Sequence, residues 1–171
     1  SRRCREVPHG SLLDCRVTTT IPRVCALEPG VALVIRRHGE ETFPHECCGA
    51  LIGRGDVVTA AVPLPNTTEE GPRRRFLVRP SDYRMAEQKA SELGGELLGF
   101  YHSHPDHPAR PSQFDLDHAW PNFSYVIVSV MSGVSRLMTV WYLKEDRSAF
   151  DEGTLHGDEN PDSDPAPPVH G

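Results

Sequence analysis

The sequence predicts an α/β fold: one mixed sheet with helices packed on both faces. Three observations carry this expectation. The order of segments reads helix, strands, helix, strand, helix, strands, which a layered sheet accommodates. The run over residues 97–102 is too apolar for an edge strand, so it belongs in the middle of the sheet. A chain of 171 residues is long enough to bury one sizeable core, and one domain is the expected count.

The elements follow in order. Residues 1–23 are polar without a sustained period and read as a flexible N-terminal extension, with a short strand over 16–24. A helix is expected over 29–42. Pro29 suits its first turn, Val31, Val34, Ile35 and His38 follow helical spacing, and Pro44 ends it. Residues 47–52 and 57–62 are apolar runs separated by Gly53-Arg54-Gly55-Asp56, the pattern of an antiparallel hairpin. A loop over 63–72 leads to a short strand at 76–78. The next helix spans 80–93, with Tyr83, Ala86, Ala90 and Leu93 on one face and Gly94-Gly95 closing it. After the strand at 97–102 come a Pro-rich loop at 106–111 and a short helix at 112–120. Strands at 125–130 and 137–143 are joined at Ser132-Gly133. Residues 145–171 are acidic, proline-containing and aperiodic, and read as a disordered tail. The folded domain is therefore expected over 24–144.

Composition narrows the function classes. The net charge is −6, and residues 145–171 hold eight acidic residues against Arg147. That tail accounts for −7 and leaves the body at +1, so nothing argues for nucleic acid. Arg73-Arg74-Arg75 reads as a solvated loop. No apolar run is long enough to span a membrane, and no secretory leader is visible. The chain opens on Ser rather than Met, as a processed or replaced start would. Five cysteines without a C-x-x-C argue against both a disulfide framework and a four-cysteine zinc site. Reduced thiols and no export signal point to the cytoplasm.

His102-Ser103-His104-Pro105, with Ser112 and Asp115 downstream, carries the chemistry. Residues i and i+2 of a strand face the same way, so the two imidazoles can converge on one metal. Asp115 can add an oxygen. Two His and one carboxylate form a hydrolytic zinc set with a coordination position left open. Glu46, in His45-Glu46-Cys47-Cys48-Gly49, is the candidate proton acceptor at the mouth of an apolar strand. Ser112 is a candidate hydrogen-bond donor to the oxyanion. Ser112-x-x-Asp115 is also a helix-capping pattern, and the two roles are compatible. His102-x-His104-x-Asp106-His107 matches the H-x-H-x-D-H signature of metallo-β-lactamase-like hydrolases. The chain is short for that fold and offers no suitable downstream ligands. The H-x-E and P-C-x-x-C elements of zinc deaminases are absent.

Glu46, His102-Ser103-His104-Pro105 and Ser112-x-x-Asp115 together resemble the signature of the JAMM (MPN+) zinc metalloproteases, in particular their compact bacterial branch. The segments Gly49-Ala50-Leu51-Ile52-Gly53, Arg75-Phe76-Leu77-Val78 and Ala119-Trp120-Pro121 fit as well, and the resemblance covers about 24–143. It implies a three-layer α/β/α sandwich like that of cytidine deaminases, the JAB1/MPN fold. It further implies one zinc per chain on His102, His104 and Asp115, with Glu46 as proton shuttle and Ser112 as oxyanion stabiliser. Family members cleave peptide or isopeptide bonds after the C-terminal Gly-Gly of ubiquitin-like β-grasp proteins. Trp120-Pro121-Asn122 runs straight into the next strand, leaving little room for the insertion with which eukaryotic members grip ubiquitin. The implied partner is therefore a sulfur-carrier protein, from which a C-terminal amino acid is released. An extended Gly-Gly tail would lie between residues 57–66 and 106–111, with Asn66 a candidate to anchor its backbone or simply to cap its own loop. Two rival readings are a zinc amidohydrolase for small acyl-amino acids and a non-catalytic zinc-holding interaction module. The latter would need a fourth protein ligand, for which Cys47 or Cys48 is the nearest donor.

Overall fold

The computed structural model describes residues 23–66 and 77–158. Its elements are β1 (Val24–Leu27), α1 (Val31–Thr42), β2 (Cys48–Arg54), β3 (Val57–Leu64), α2 (Pro80–Glu92), β4 (Glu96–Pro105), α3 (Gln113–His118), β5 (Ser124–Met131), β6 (Val134–Leu143), β7 (Phe150–Glu152) and β8 (Thr154–His156). The strands form one sheet in the order β7-β6-β5-β4-β2-β3-β1-β8. The β4–β5, β1–β3 and β1–β8 pairs are parallel and the remaining pairs antiparallel, so the sheet is mixed. β4 lies between β2 and β5, the interior place its apolarity predicts.

Alternation along the strands separates two cores. Cys47, Leu51, Tyr101, Val126 and Val128 pack with Val31, Ala32 and Ile35 of α1. Cys48, Ala50, Ile52, Phe100 and Tyr125 pack with Ala86 and Ala90 of α2 on the opposite face. The result is helix, sheet, helix. Consecutive residues of a strand point to opposite faces. His102 and His104 thus share the α2 face with Phe100, while Tyr101 and Ser103 look toward α1.

Several expectations change. The first helix starts at Val31. Pro29 lies outside it, and Gly30 forms the N-cap at φ 89°, a left-handed conformation that glycine adopts freely. The buried face of α1 is Val31, Ala32, Ile35, Arg36 and Gly39, whereas Val34 is exposed. Gly39 brings the helix against the sheet. A Cβ there would stand 3.1 Å from Val130 Cγ2 and 3.3 Å from Ser103 Cβ. Leu77 and Val78 form no strand, and Phe76 is outside the described residues. Val78 is buried because it packs in the second core as the chain enters α2, so its apolarity reflects packing and not sheet pairing. In α2, Leu93 is 57% exposed, beyond the last helical residue. The third helix is confined to Gln113–His118, and β6 begins at Val134.

The largest correction concerns the tail. Residues 150–156 contribute two edge strands: β7 pairs with β6, and β8 with β1. Asp158 then accepts hydrogen bonds from Arg36 of α1, at 2.6 and 2.8 Å from Nη2 and 3.1 Å from Nε. Arg36 Nη1 also donates to the Arg136 carbonyl at 2.5 Å. Acidity misled the sequence reading because one of these carboxylates neutralises a buried guanidinium, and short edge strands need little apolar periodicity. The extension at 1–22 and the residues from 159 onward lie outside the described residues.

Candidate metal centre

The centre forms at the carboxyl end of β4, where the chain leaves the sheet for a loop and then α3. In open α/β sheets this is where ligands bind. His102 is 1% exposed and His104 6%. Their Nε2 atoms face one another at 3.0 Å. Asp115 closes the triangle, with Oδ2 3.1 Å from His104 Nε2 and Oδ1 3.3 Å from His102 Nε2.

Local sequence explains how Asp115 arrives there. Ser112 caps α3, its Oγ accepting from the Asp115 N–H at 3.1 Å. The Ser112 N–H in turn donates to Asp115 Oδ2 at 2.8 Å. This reciprocal capping box fixes the carboxylate on the third helical residue and turns it toward the two imidazoles. His104 is oriented from its other side, since Nδ1 lies 2.9 Å from the Pro108 carbonyl. A carbonyl only accepts, so Nδ1 carries a proton, and whenever the ring is neutral Nε2 is the nitrogen left with a lone pair for the centre.

Three electron-pair donors about 3 Å apart repel unless positive charge lies among them. Burial pushes the Asp115 carboxyl up, but the charges and hydrogen bonds of His102 and His104 outweigh it and hold it well below the usual carboxylate range. Burial pulls His104 down, and this is outweighed by Asp115, by the Pro108 carbonyl and by the nearby charge of Glu46, so the ring stays more basic than usual. A tetrahedral zinc with bonds near 2.0–2.1 Å separates its ligand atoms by roughly 3.3 Å. The donor set and its spacing fit such an ion, and these three residues are the cluster able to hold a metal among the described residues.

Comparisons with known proteins identify a family. Residues 28–143 match the family described as prokaryotic homologs of the JAB domain. The chain belongs to that family. Among curated relatives, a desampylase of Haloferax volcanii is 38% identical over 89 residues, which is 50% of this chain and 63% of the relative. A probable TtuB-protein conjugate cleaving protease of Thermus thermophilus is 36% identical over 92 residues, 54% of this chain and 61% of the relative. The matches thus span less than two thirds of these curated relatives. Among solved structures, a Salinibacter ruber protein is 40% identical with a TM-score of 0.61, covering 79% of this chain and 93% of its own. A Desulfitobacterium hafniense protein is 30% identical with a TM-score of 0.65, covering 77% and 90%.

The remaining residues of this JAB-family chain take defined places. Glu46 is half-buried just before β2, close enough for its charge to act on His104. The start of β2 is fixed by Ser103, whose Oγ accepts from the Cys47 N–H at 2.8 Å and whose N–H donates to the Cys47 carbonyl at 3.2 Å. Asn66 donates from Nδ2 to the Glu46 carbonyl at 2.8 Å. It braces the main chain of Glu46. Neither cysteine joins the metal cluster. Cys47 packs on the α1 face, and Cys48, although paired in register with His102, donates its thiol to the Leu64 carbonyl at 3.5 Å. Burial pushes the Cys48 thiol far up, and Cys48 lies outside the His102, His104 and Asp115 cluster.

Sequence reading missed Ser103, Pro108, Ser129 and Thr139. The available signal was polarity out of place: Ser129 and Thr139 interrupt apolar strand runs and are 4% and 8% exposed. Leu77, Val78, Tyr125, Ile127 and Phe150 form an apolar wall beside His102 and Asp115. Among the described residues, no helix is long and apolar enough to cross a membrane.

Proposed function

We propose that this protein is a zinc metallopeptidase that hydrolyses the bond after the C-terminal Gly-Gly of a ubiquitin-like sulfur-carrier protein and releases an amino acid. The observation that carries the reading is the convergence of His102, His104 and Asp115, with Ser112 on the helix cap and the charge of Glu46 within reach. Family membership supports it, as does the likeness to a desampylase and to a protease whose name states cleavage of a protein conjugate.

His102, His104 and Asp115 would hold one zinc ion. Bound there, zinc would supply Lewis acidity toward a carbonyl oxygen and would lower the pKa of water toward about 7. Glu46 takes the proton of the attacking water and delivers it to the leaving amine. The Ser112 oxygen already accepts the Asp115 N–H, which leaves its O–H to donate to the oxyanion of the tetrahedral intermediate. Asn66 and Ser103 hold the Glu46 segment from either side, so the acceptor keeps its place during proton transfer. Three free thiols, those of Cys25, Cys47 and Cys48, are buried, which accords with a reducing compartment and supports the cytoplasm as its location.

The test is mass spectrometry of carrier–amino acid conjugates incubated with zinc-loaded protein, with and without a chelator. Chelator-sensitive loss of the terminal residue is expected. Equal turnover of truncated small amides would favour an amidohydrolase, and intact conjugates with zinc bound would favour a non-catalytic module.

A further inference from the structure

Residues 107–109, in the loop after β4, present three consecutive carbonyls to the protein, and each accepts a hydrogen bond from a different strand. Ser129 Oγ of β5 donates to the His107 carbonyl at 2.6 Å. His104 Nδ1 of β4 donates to Pro108. Thr139 Oγ1 of β6 donates to the Ala109 carbonyl at 2.7 Å. The sense of each bond is forced, because a carbonyl has no proton to give. Thr139 Oγ1 is itself pinned, accepting from Trp141 Nε1 at 2.8 Å. Both of the Pro108 carbonyl's lone pairs are engaged, since Arg110 N–H also donates to it at 2.8 Å.

A hydroxyl placed in an apolar strand costs stability unless it is bonded, so two such hydroxyls converging on one loop suggest a shared task. We propose that Ser129 and Thr139 are positioning residues for the metal centre. By clamping the carbonyls on either side of Pro108, they fix the carbonyl that sets the tautomer and ring orientation of His104. Both hydroxyls bond to the loop and not to a ring nitrogen of His104, although Ser129 also stands beside His104 in the register of β4 and β5. The inference rests on the reading of His104 as a zinc ligand. Groups that orient a ligating histidine typically contribute 10–100-fold to metal affinity.

The experiment measures zinc affinity by chelator competition for the full chain and for Ser129→Ala, Thr139→Val and Thr139→Ser. Long-range proton–nitrogen spectra of the zinc-loaded proteins report the His104 tautomer. Ser129→Ala and Thr139→Val are expected to weaken zinc binding by roughly 10–100-fold and to broaden or shift the His104 ring signals. Thr139→Ser keeps the hydroxyl and should bind as the parent does. Tyr101→Phe serves as control, because it removes a half-buried hydrogen bond to His38 Nδ1 (2.8 Å) on the opposite face. It should lower stability and leave zinc affinity alone. If Thr139→Val does not fold, Ser129→Ala decides the matter. Parent-like affinity and ring signals in the clamp variants would overturn the proposal, as would an equal loss in Tyr101→Phe. A parent chain that binds no zinc would overturn the metal reading together with it, and is thereby told apart from failure of the clamp alone.

Discussion

Ser112 caps α3 and is the proposed oxyanion donor, and one pair of substitutions separates the two tasks. As the N-cap of α3 it accepts the Asp115 N–H at 3.1 Å, and as the proposed oxyanion donor it supplies its O–H. Ser112→Ala removes both. Loss of an N-cap side chain costs about 1 kcal/mol, or a melting shift of about 2–4 °C for a chain of this size. Ser112→Gly removes the hydroxyl but costs the cap only about a few tenths of a kcal/mol. Neither change disturbs the bond from the backbone N–H of residue 112 to Asp115 Oδ2 (2.8 Å), so the carboxylate keeps its anchor and zinc should stay bound. Loss of an oxyanion donor lowers kcat by roughly 10²–10³, equivalent to about 2.7–4 kcal/mol in the transition state. The assay is steady-state cleavage of a carrier conjugate at saturating zinc, with thermal melting and zinc content measured on the same samples. Both variants should lose kcat to a similar degree while only the alanine variant melts measurably lower. A Ser112→Gly protein with parental kcat and full zinc content would show that the hydroxyl only caps the helix.

Three other perturbations read out different parts of the structure. Glu46→Gln should retain zinc and lose roughly 10²–10⁴-fold in kcat, and undiminished turnover would remove Glu46 as the proton acceptor. Arg36→Met strips Asp158 of its partner and should destabilise the protein by about 1.5–3 kcal/mol, with the amides of β8 exchanging faster while zinc affinity holds; unchanged exchange there would contradict the anchoring role. Burial pushes the Cys25 and Cys47 thiols up to about 11, so each stays neutral in the fold while an unfolded thiol ionises near pH 9. These two groups therefore favour the folded state less as pH rises above about 9, and iodoacetamide at pH 8 should label them only after denaturant is added, which intact-mass measurement would check.

The sequence exposed most of the centre because its chemistry is local. His102 and His104 are two residues apart on one strand, and Ser112 and Asp115 are one capping box apart on one helix. Each pair is oriented by backbone geometry that spacing alone discloses. β2 and β3, β4 and α2 were legible for the same reason, since period and punctuation coincide there. What was illegible depends on partners distant in the chain. Arg36 and Asp158 are 122 residues apart, and nothing near either announces the other. β7 and β8 are three residues each and take their stability from β6 and β1. Val78 was read as strand because burial in the second core produces the same apolar run that sheet pairing does. The Ser129 and Thr139 hydroxyls were visible as misplaced polarity, but their common target, the loop after β4, emerges only once β4, β5 and β6 lie side by side.

Anomalous diffraction at the zinc edge from crystals of the zinc-loaded chain tests the central claim most directly. One peak is expected, bonded to His102 Nε2, His104 Nε2 and a carboxylate oxygen of Asp115, with no fourth protein atom within bonding distance. A peak closed off by a cysteine sulfur, or His102, His104 and Asp115 left without density between them in saturating zinc, would contradict it.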